Sequence, residues 1–291
     1  MINQEFKQKI VKAIKENAKN YPSAAKQARA LDINSAQLSR IKKGDIDQVL
    51  SDAKWIGIAR RLNVTAGNAP KWNIAKTPAF EYISSQLAFC QQNNVSAVLC
   101  DLPDIGKTFT AKYYVRQNKN AVYIDCSQVK SKQKLIRKIA QEFGVDHTGR
   151  YADVYADLVY YLRSIDSPLI VLDEAGDLDY PAFLELKALW NATEQAASYY
   201  MMGADGLRVK IERGRDRKKV GYAEIFSRFG DGFKKVTPNG REDLQAFKRH
   251  QMALVAKANG LKVPETKLFA KTGGSLRRVY IEYKKAVRNA G

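Results

Sequence analysis

Residues 96–108 read Ser96-Ala97-Val98-Leu99-Cys100-Asp101-Leu102-Pro103-Asp104-Ile105-Gly106-Lys107-Thr108. The apolar run Ser96–Cys100 predicts a buried strand, and the stretch Phe109–Asn118 after Thr108 predicts a helix. Strand, loop, Gly-Lys-Thr and helix in that order form a phosphate loop. Such a loop turns the amides of Ile105, Gly106, Lys107, Thr108 and Phe109 and the positive end of the helix toward phosphate oxygens. Lys107 is expected to reach the β- and γ-phosphates, and the Thr108 hydroxyl to ligate Mg²⁺. The motif departs from its usual form at Asp101, where glycine is normal, and carries a second carboxylate at Asp104. Carboxylates beside a triphosphate are unfavourable unless they point away or meet a cation.

A second segment supplies the other half of such a site. Ser167-Pro168-Leu169-Ile170-Val171-Leu172-Asp173-Glu174 is an apolar strand ending in two acids. Asp173 then sits at the strand's C-terminal edge, where it holds Mg²⁺ through water. Glu174 is placed to polarise an attacking water.

Around these two strands the chain alternates. The runs Ala121–Asp125, Tyr199–Met202 and Phe233–Val236 are further strand candidates, each separated from the next by amphipathic helical stretches. This alternation predicts an α/β fold, a parallel sheet covered by helices on both faces. After Pro238 the pattern is helical to the end. Two arginines stand at informative places. Arg228, in Phe226-Ser227-Arg228-Phe229-Gly230, ends a helix just before the last strand, where it can reach a neighbouring subunit's γ-phosphate. Arg277, in Gly274-Ser275-Leu276-Arg277-Arg278, opens the last helix, where it can fold back on its own subunit's phosphates. Asp205, just after the Tyr199–Met202 strand, is the nearest polar residue for contacting the γ-phosphate.

The phosphate loop, acidic strand, arginine before the last strand and Gly-x-x-Arg in a helical segment resemble the AAA+ ATPases over about residues 79–289. The resemblance implies ATP and Mg²⁺ bound between subunits, with Arg228 acting in trans and Arg277 in cis. The expected organisation is a small all-α unit at 1–65, a linker at 66–78, a phosphate-loop core at 79–237 and a small helical lid with a basic final helix at 238–291.

The N-terminal 65 residues show helical spacing. Phe6, Ile10, Val11 and Ile14 recur on one face, and Ser23 is a plausible cap for a helix over 23–31. A turn at Asp32–Ser35 leads to a helix over 36–43, with Gly44 closing it. A fourth helix is expected with Val49, Leu50, Ile56, Ile58, Ala59 and Leu62 as its apolar face. Residues Ser23–Gly44 resemble the helix-turn-helix of the lambda-repressor class, which implies that Ser35, Gln37, Arg40, Lys42 and Lys43 face a DNA groove or its phosphates. A helix-turn-helix ahead of a short AAA+ module resembles the transposition regulators of the phage Mu B, TnsC and IstB kind. That resemblance implies a bacterial or phage protein that assembles head-to-tail on duplex DNA and works with a transposase. A helicase-loading ATPase and a nucleotide-gated transcription regulator with little hydrolysis are the alternatives.

Charge points the same way. Of 291 residues, 49 are Lys or Arg and 30 are Asp or Glu, a net +19, which predicts a polyanionic partner, either nucleic acid or an anionic membrane surface. Lys130, Lys132 and Lys134 alternate with neutral residues in Ser127–Lys134, expected as the loop after the second strand, a pattern suited to a phosphate backbone and blind to base sequence. A second cationic stretch runs from Arg208 to Lys219 and carries Glu212 and Asp216 as well. Cys90, Cys100 and Cys126 have neither zinc nor disulfide spacing and are expected as buried thiols in a reducing cytoplasm. No apolar run approaches the roughly 18 residues of a membrane span.

Overall fold

The computed structural model describes residues 2–62, 64–66 and 72–290, without the side chains of the last two. Part of the expected linker, 67–71, lies outside the described residues. The N-terminal helices are α1 (Gln4–Asn17), α2 (Ala24–Ala30), α3 (Ser35–Lys42) and α4 (Asp52–Arg61). Each begins at a residue whose side chain accepts a first-turn amide: Asn3, Ser23, Asn34 and Ser51. Their apolar faces meet in one cluster that includes Ile10, Ile14, Ala28, Leu38, Ile41, Trp55 and Ile58. The fourth helix differs from expectation. Val49 and Leu50 are buried but precede it, Trp55 is fully buried, and Ile56 is 55% exposed. Trp55, Ile58, Ala59 and Leu62 are spaced i, i+3, i+4 and i+7, the period of one helix face, and Ile56 falls outside that stripe.

The remainder follows as α5 (Pro78–Asn93), β1 (Ala97–Cys100), α6 (Lys107–Gln117), β2 (Ala121–Asp125), α7 (Lys132–Glu142), α8 (Tyr151–Ser164), β3 (Leu169–Asp173), α9 (Tyr180–Ala192), β4 (Ser198–Gly203), α10 (Asp205–Asp216), α11 (Tyr222–Arg228), β5 (Phe233–Lys234), α12 (Arg241–Ala258), α13 (Glu265–Thr272) and α14 (Leu276–Ala290). The strands form a single parallel sheet in the order β2-β3-β4-β1-β5. Alternate residues along each strand serve opposite faces. Val98, Cys100, Ile170, Leu172, Tyr199 and Met201 pack with apolar residues of α7 to α11. Their neighbours Ala97, Leu99, Leu169, Val171, Tyr200 and Met202 pack with α5 and α6. Burial on both faces is why the strands read as unbroken apolar runs. Cys90, Cys100 and Cys126 are unpaired within these layers, and burial pushes the thiols of Cys90 and Cys100 up to about 12.

Helices α12 to α14 form a smaller cluster around Met252, Val255, Leu268 and Val279. Residues 72–77, expected as linker, are part of it. The Trp72 ring meets Tyr280 and Tyr283 edge-on at centroid distances of 4.9 and 5.2 Å. The Asn73 amide donates to Asn259 Oδ1 at 2.7 Å, and Asn259 Nδ2 donates back to the Asn73 carbonyl at 3.1 Å. The N-terminal helices sit on α7 and α8. A Cβ on Gly144, at φ +69°, would lie 2.2 Å from the Lys26 carbonyl oxygen, so this backbone contact requires glycine. Beside it the Lys26 ammonium lies 3.9 Å from the centre of the Tyr161 ring.

Candidate nucleotide site

The loop between β1 and α6 turns at Asp104 (φ +62°) and Gly106 (φ +100°) and releases the chain into α6 at Lys107. The amides of that first turn have no intrahelical acceptor, which makes the helix start an anion site. Ile105 is buried beneath the loop, while Phe109 stays 44% exposed on the helix. Lys107 is buried, and its ammonium donates to the Asp101 and Leu102 carbonyls at 2.8 and 2.6 Å. Burial holds its pKa below the ordinary lysine value, against the pull of Asp101 and Asp173.

β3 brings its C-terminal acids to the same place. Thr108 Oγ1 donates to Asp173 Oδ2 at 2.6 Å, joining the two sequence motifs directly. Hydrogen bonds to a charged acceptor contribute roughly 1.5–3 kcal/mol each, and Asp173 receives two more. Tyr123 Oη, from β2, donates to Oδ2 at 2.7 Å and the Glu174 amide to Oδ1 at 3.0 Å. Glu174 takes a left-handed conformation (φ +50°), which turns the chain out of the strand and leaves the side chain exposed. Partial burial of its carboxyl and the charge of Asp173 push its pKa up, and a raised pKa makes a carboxylate a better proton acceptor. The Thr108 hydroxyl and Asp173 carboxylate are a hard-oxygen pair that fits Mg²⁺, an ion that keeps several waters and takes few protein ligands. No cluster of three or more His, Cys, Asp or Glu suited to a metal occurs among the described residues.

The two unusual carboxylates both turn away from the cradle. Asp101 is 2% exposed and accepts from the Leu102 amide at 2.7 Å, the Val236 amide at 2.6 Å, the Thr237 amide at 2.9 Å and the Thr237 hydroxyl. It thereby ties the phosphate loop to the chain leaving β5. Asp104 meets the start of α14: its Oδ2 accepts from Ser275 Oγ at 2.8 Å and its Oδ1 lies 3.3 Å from Arg277 Nε. Arg277 therefore lies beside the phosphate loop.

Asp205 begins α10 at the same sheet edge. Its side chain is 66% exposed and pairs with Arg208 at 3.1 Å. Arg208, which sequence reasoning did not single out for this site, is thus the cation that follows β4. Arg228 is elsewhere. It precedes β5, which runs parallel to β1, so it lies at the end of the sheet where strands begin. There its guanidinium is 5.2 Å from the Trp190 ring centre, and Trp190 Nε1 donates to Ser96 Oγ just before β1. Arg228 Nε is buried without a hydrogen-bond partner among the described residues. Four residues of β1, about 3.3 Å each, separate this end from the phosphate loop.

The expected DNA contacts are dispersed. Lys130 is exposed and 3.5 Å from Asp177. Lys132 and Lys134 are exposed in the first turn of α7, not in a loop as expected, and Lys132 lies over Tyr151. In α3, Gln37 is committed inward: its Oε1 accepts from the Asn34 amide at 3.1 Å and its Nε2 donates to the Val49 carbonyl at 3.2 Å. Each end of the amide is thus engaged within the N-terminal helices, which leaves one N–H and one oxygen lone pair for another partner. Arg40 Nε pairs with Asp45 at 2.8 Å, while Lys42 is half-buried and Lys43 exposed.

The loop, its lysine and the Thr108–Asp173 bond on a parallel sheet make this a P-loop α/β fold. Residues 91–211 match the family model of the AAA domain. The AAA match supports nucleotide binding at this site. Over 266 residues the chain is 26% identical to the Mu-like prophage FluMu DNA transposition protein B of Haemophilus influenzae, covering 87% of each. Among solved structures it is similar to that of the Aeropyrum pernix Orc1 protein in complex with DNA, at a TM-score of 0.44 and 17% identity, over 75% of this chain and 67% of that one. No described helix is long and apolar enough to cross a membrane.

Proposed function

We propose that this protein is an ATP-dependent, largely sequence-independent DNA-binding AAA+ ATPase that assembles on duplex DNA and presents it to a transposase. The observation that carries the reading is the joined site, Thr108 to Asp173, in a chain similar along most of its length to a DNA transposition protein B. The Gly106–Phe109 amides and Lys107 bind the phosphates. Thr108 and Asp173 hold Mg²⁺, which when bound neutralises charge on the phosphates. Glu174 accepts the proton of the attacking water, which its raised pKa favours.

Arg228 is the residue expected to serve a second copy. It lies at the opposite end of β1 from its own phosphate loop, so the phosphate it meets belongs to a neighbour docked head-to-tail. Head-to-tail contacts that do not close a ring build filaments. Lys130, Lys132 and Lys134 supply backbone contacts to DNA, and the unit at 1–65 adds Arg40, Lys42 and Lys43 for DNA or for the transposase. Electron microscopy with random-sequence duplex tests the reading. Filaments are expected with ATP and not without nucleotide. Arg228→Ala is expected to abolish them while the monomer keeps its thermal unfolding midpoint. Normal filaments from Arg228→Ala would end the trans role. Tight binding to one operator, indifferent to ATP, would end the non-specific reading.

A further inference from the structure

Asp104 stands where a carboxylate is least expected, in the loop that receives phosphates, and in a left-handed conformation usually filled by glycine. Its surroundings give it a use. Besides Ser275 Oγ and Arg277 Nε on its carboxylate, its carbonyl accepts the Leu276 amide at 3.3 Å. Ser275 Oγ in turn accepts the Arg278 amide at 3.3 Å and so caps α14. Thus one residue of the phosphate loop grips three consecutive residues at the start of the last helix. The ion pair is not a device for stability, because Arg277 is 80% exposed and exposed pairs contribute little. Its geometry is the informative part. Asp104 engages the guanidinium through Nε, and neither terminal nitrogen of Arg277 has an acceptor among the described residues. Those two nitrogens form the fork with which arginine binds phosphate.

We propose that Asp104 is a positioning residue that holds Arg277 at the rim of the phosphate loop by its Nε and so presents the terminal nitrogens to the outermost phosphate of ATP. The proposal rests on the nucleotide-binding reading. It accounts for an acid inside a phosphate loop: the carboxylate faces the lid, and the cation it holds offsets its charge. It also ties selection of ATP over ADP to the lid's seating on the loop.

The test is a double-mutant cycle on the full chain, reading equilibrium affinity for a non-hydrolysable ATP analogue and for ADP with Mg²⁺. Asp104→Asn tolerates the left-handed backbone and keeps an oxygen for Ser275. If Asp104 only repels phosphate, this change tightens analogue binding. The proposal gives the opposite: roughly tenfold weaker binding of the analogue, with ADP almost unchanged. With Arg277→Ala in place, Asp104→Asn should no longer weaken the analogue. Tighter analogue binding in the otherwise unaltered chain, or equal losses with and without Arg277, overturns the proposal. Absence of binding of either nucleotide to the unaltered protein overturns the nucleotide-binding reading itself. Thermal unfolding of each variant, expected to match the parent closely, separates positioning from misfolding.

Discussion

The phosphate loop and helix α3 both carry residues expected from sequence to meet a polyanion, yet the fold treats them differently. Around the loop, the hydroxyls of Thr108 in α6 and Tyr123 in β2 donate to Asp173 at the end of β3, and the Lys107 ammonium donates to the Asp101 and Leu102 carbonyls. In α3, Gln37 turns inward to cap its own helix, and Arg40 is neutralised by Asp45. A nucleotide is one small ligand that must be held at fixed distances, so its site is made of short directional bonds. A duplex backbone is a repeating charge, and a surface that meets it needs density of cations more than aim.

The sharpest way to break this comparison is to remove a group that acts by position. Glu174→Gln should lower ATP hydrolysis by roughly 10²–10⁴-fold while nucleotide still binds, measured as steady-state phosphate release beside equilibrium binding. Loss of both together would mean that Glu174 supports the fold. Next comes Asp101→Gly, which restores the motif's usual residue. It should not speed turnover. It orphans the Val236 and Thr237 amides and lowers stability by roughly 3 kcal/mol, read in denaturant titrations. An unchanged midpoint would show that Asp101 is dispensable. For the basic surfaces, replacing Lys130, Lys132 and Lys134 with Ala should flatten the salt dependence of DNA binding by roughly 2–3 logarithmic units per decade, equally for unrelated sequences. A slope that does not move would place the DNA path elsewhere. The smallest effects belong to α3: Lys43→Ala should reduce the slope by about 1, and Gln37→Ala should leave it unchanged while destabilising the N-terminal helices. A Gln37→Ala defect confined to certain base sequences would show a reading role for that residue.

The strands and the two acidic and Gly-Lys-Thr motifs were legible because each is a local pattern, a doubly buried run or a residue order that needs no distant partner. The roles of Asp101 and Asp104 were not. Asp101 finds Thr237 across 136 residues and Asp104 finds Ser275 across 171, and nothing in the loop names those partners. Tyr123 escaped notice for the same reason, since only the pairing of β2 beside β3 brings its hydroxyl to Asp173. The fourth helix misled more simply: Ile56 is apolar but stands beside the stripe through Trp55 and Ile58.

The strap at residues 72–77 has a practical consequence. Sequence patterning starts the core at residue 79 and so invites trimming the chain there. Such a fragment would lack Trp72 and Asn73, stripping one wall from the interior of the helical lid. Tyr280 and Tyr283 would lose their ring partner, and Asn259 would lose the backbone to which it donates and the amide that donates to it. A fragment starting at Trp72 keeps that wall. We expect the longer fragment to stay soluble and monodisperse on gel filtration and the shorter to aggregate.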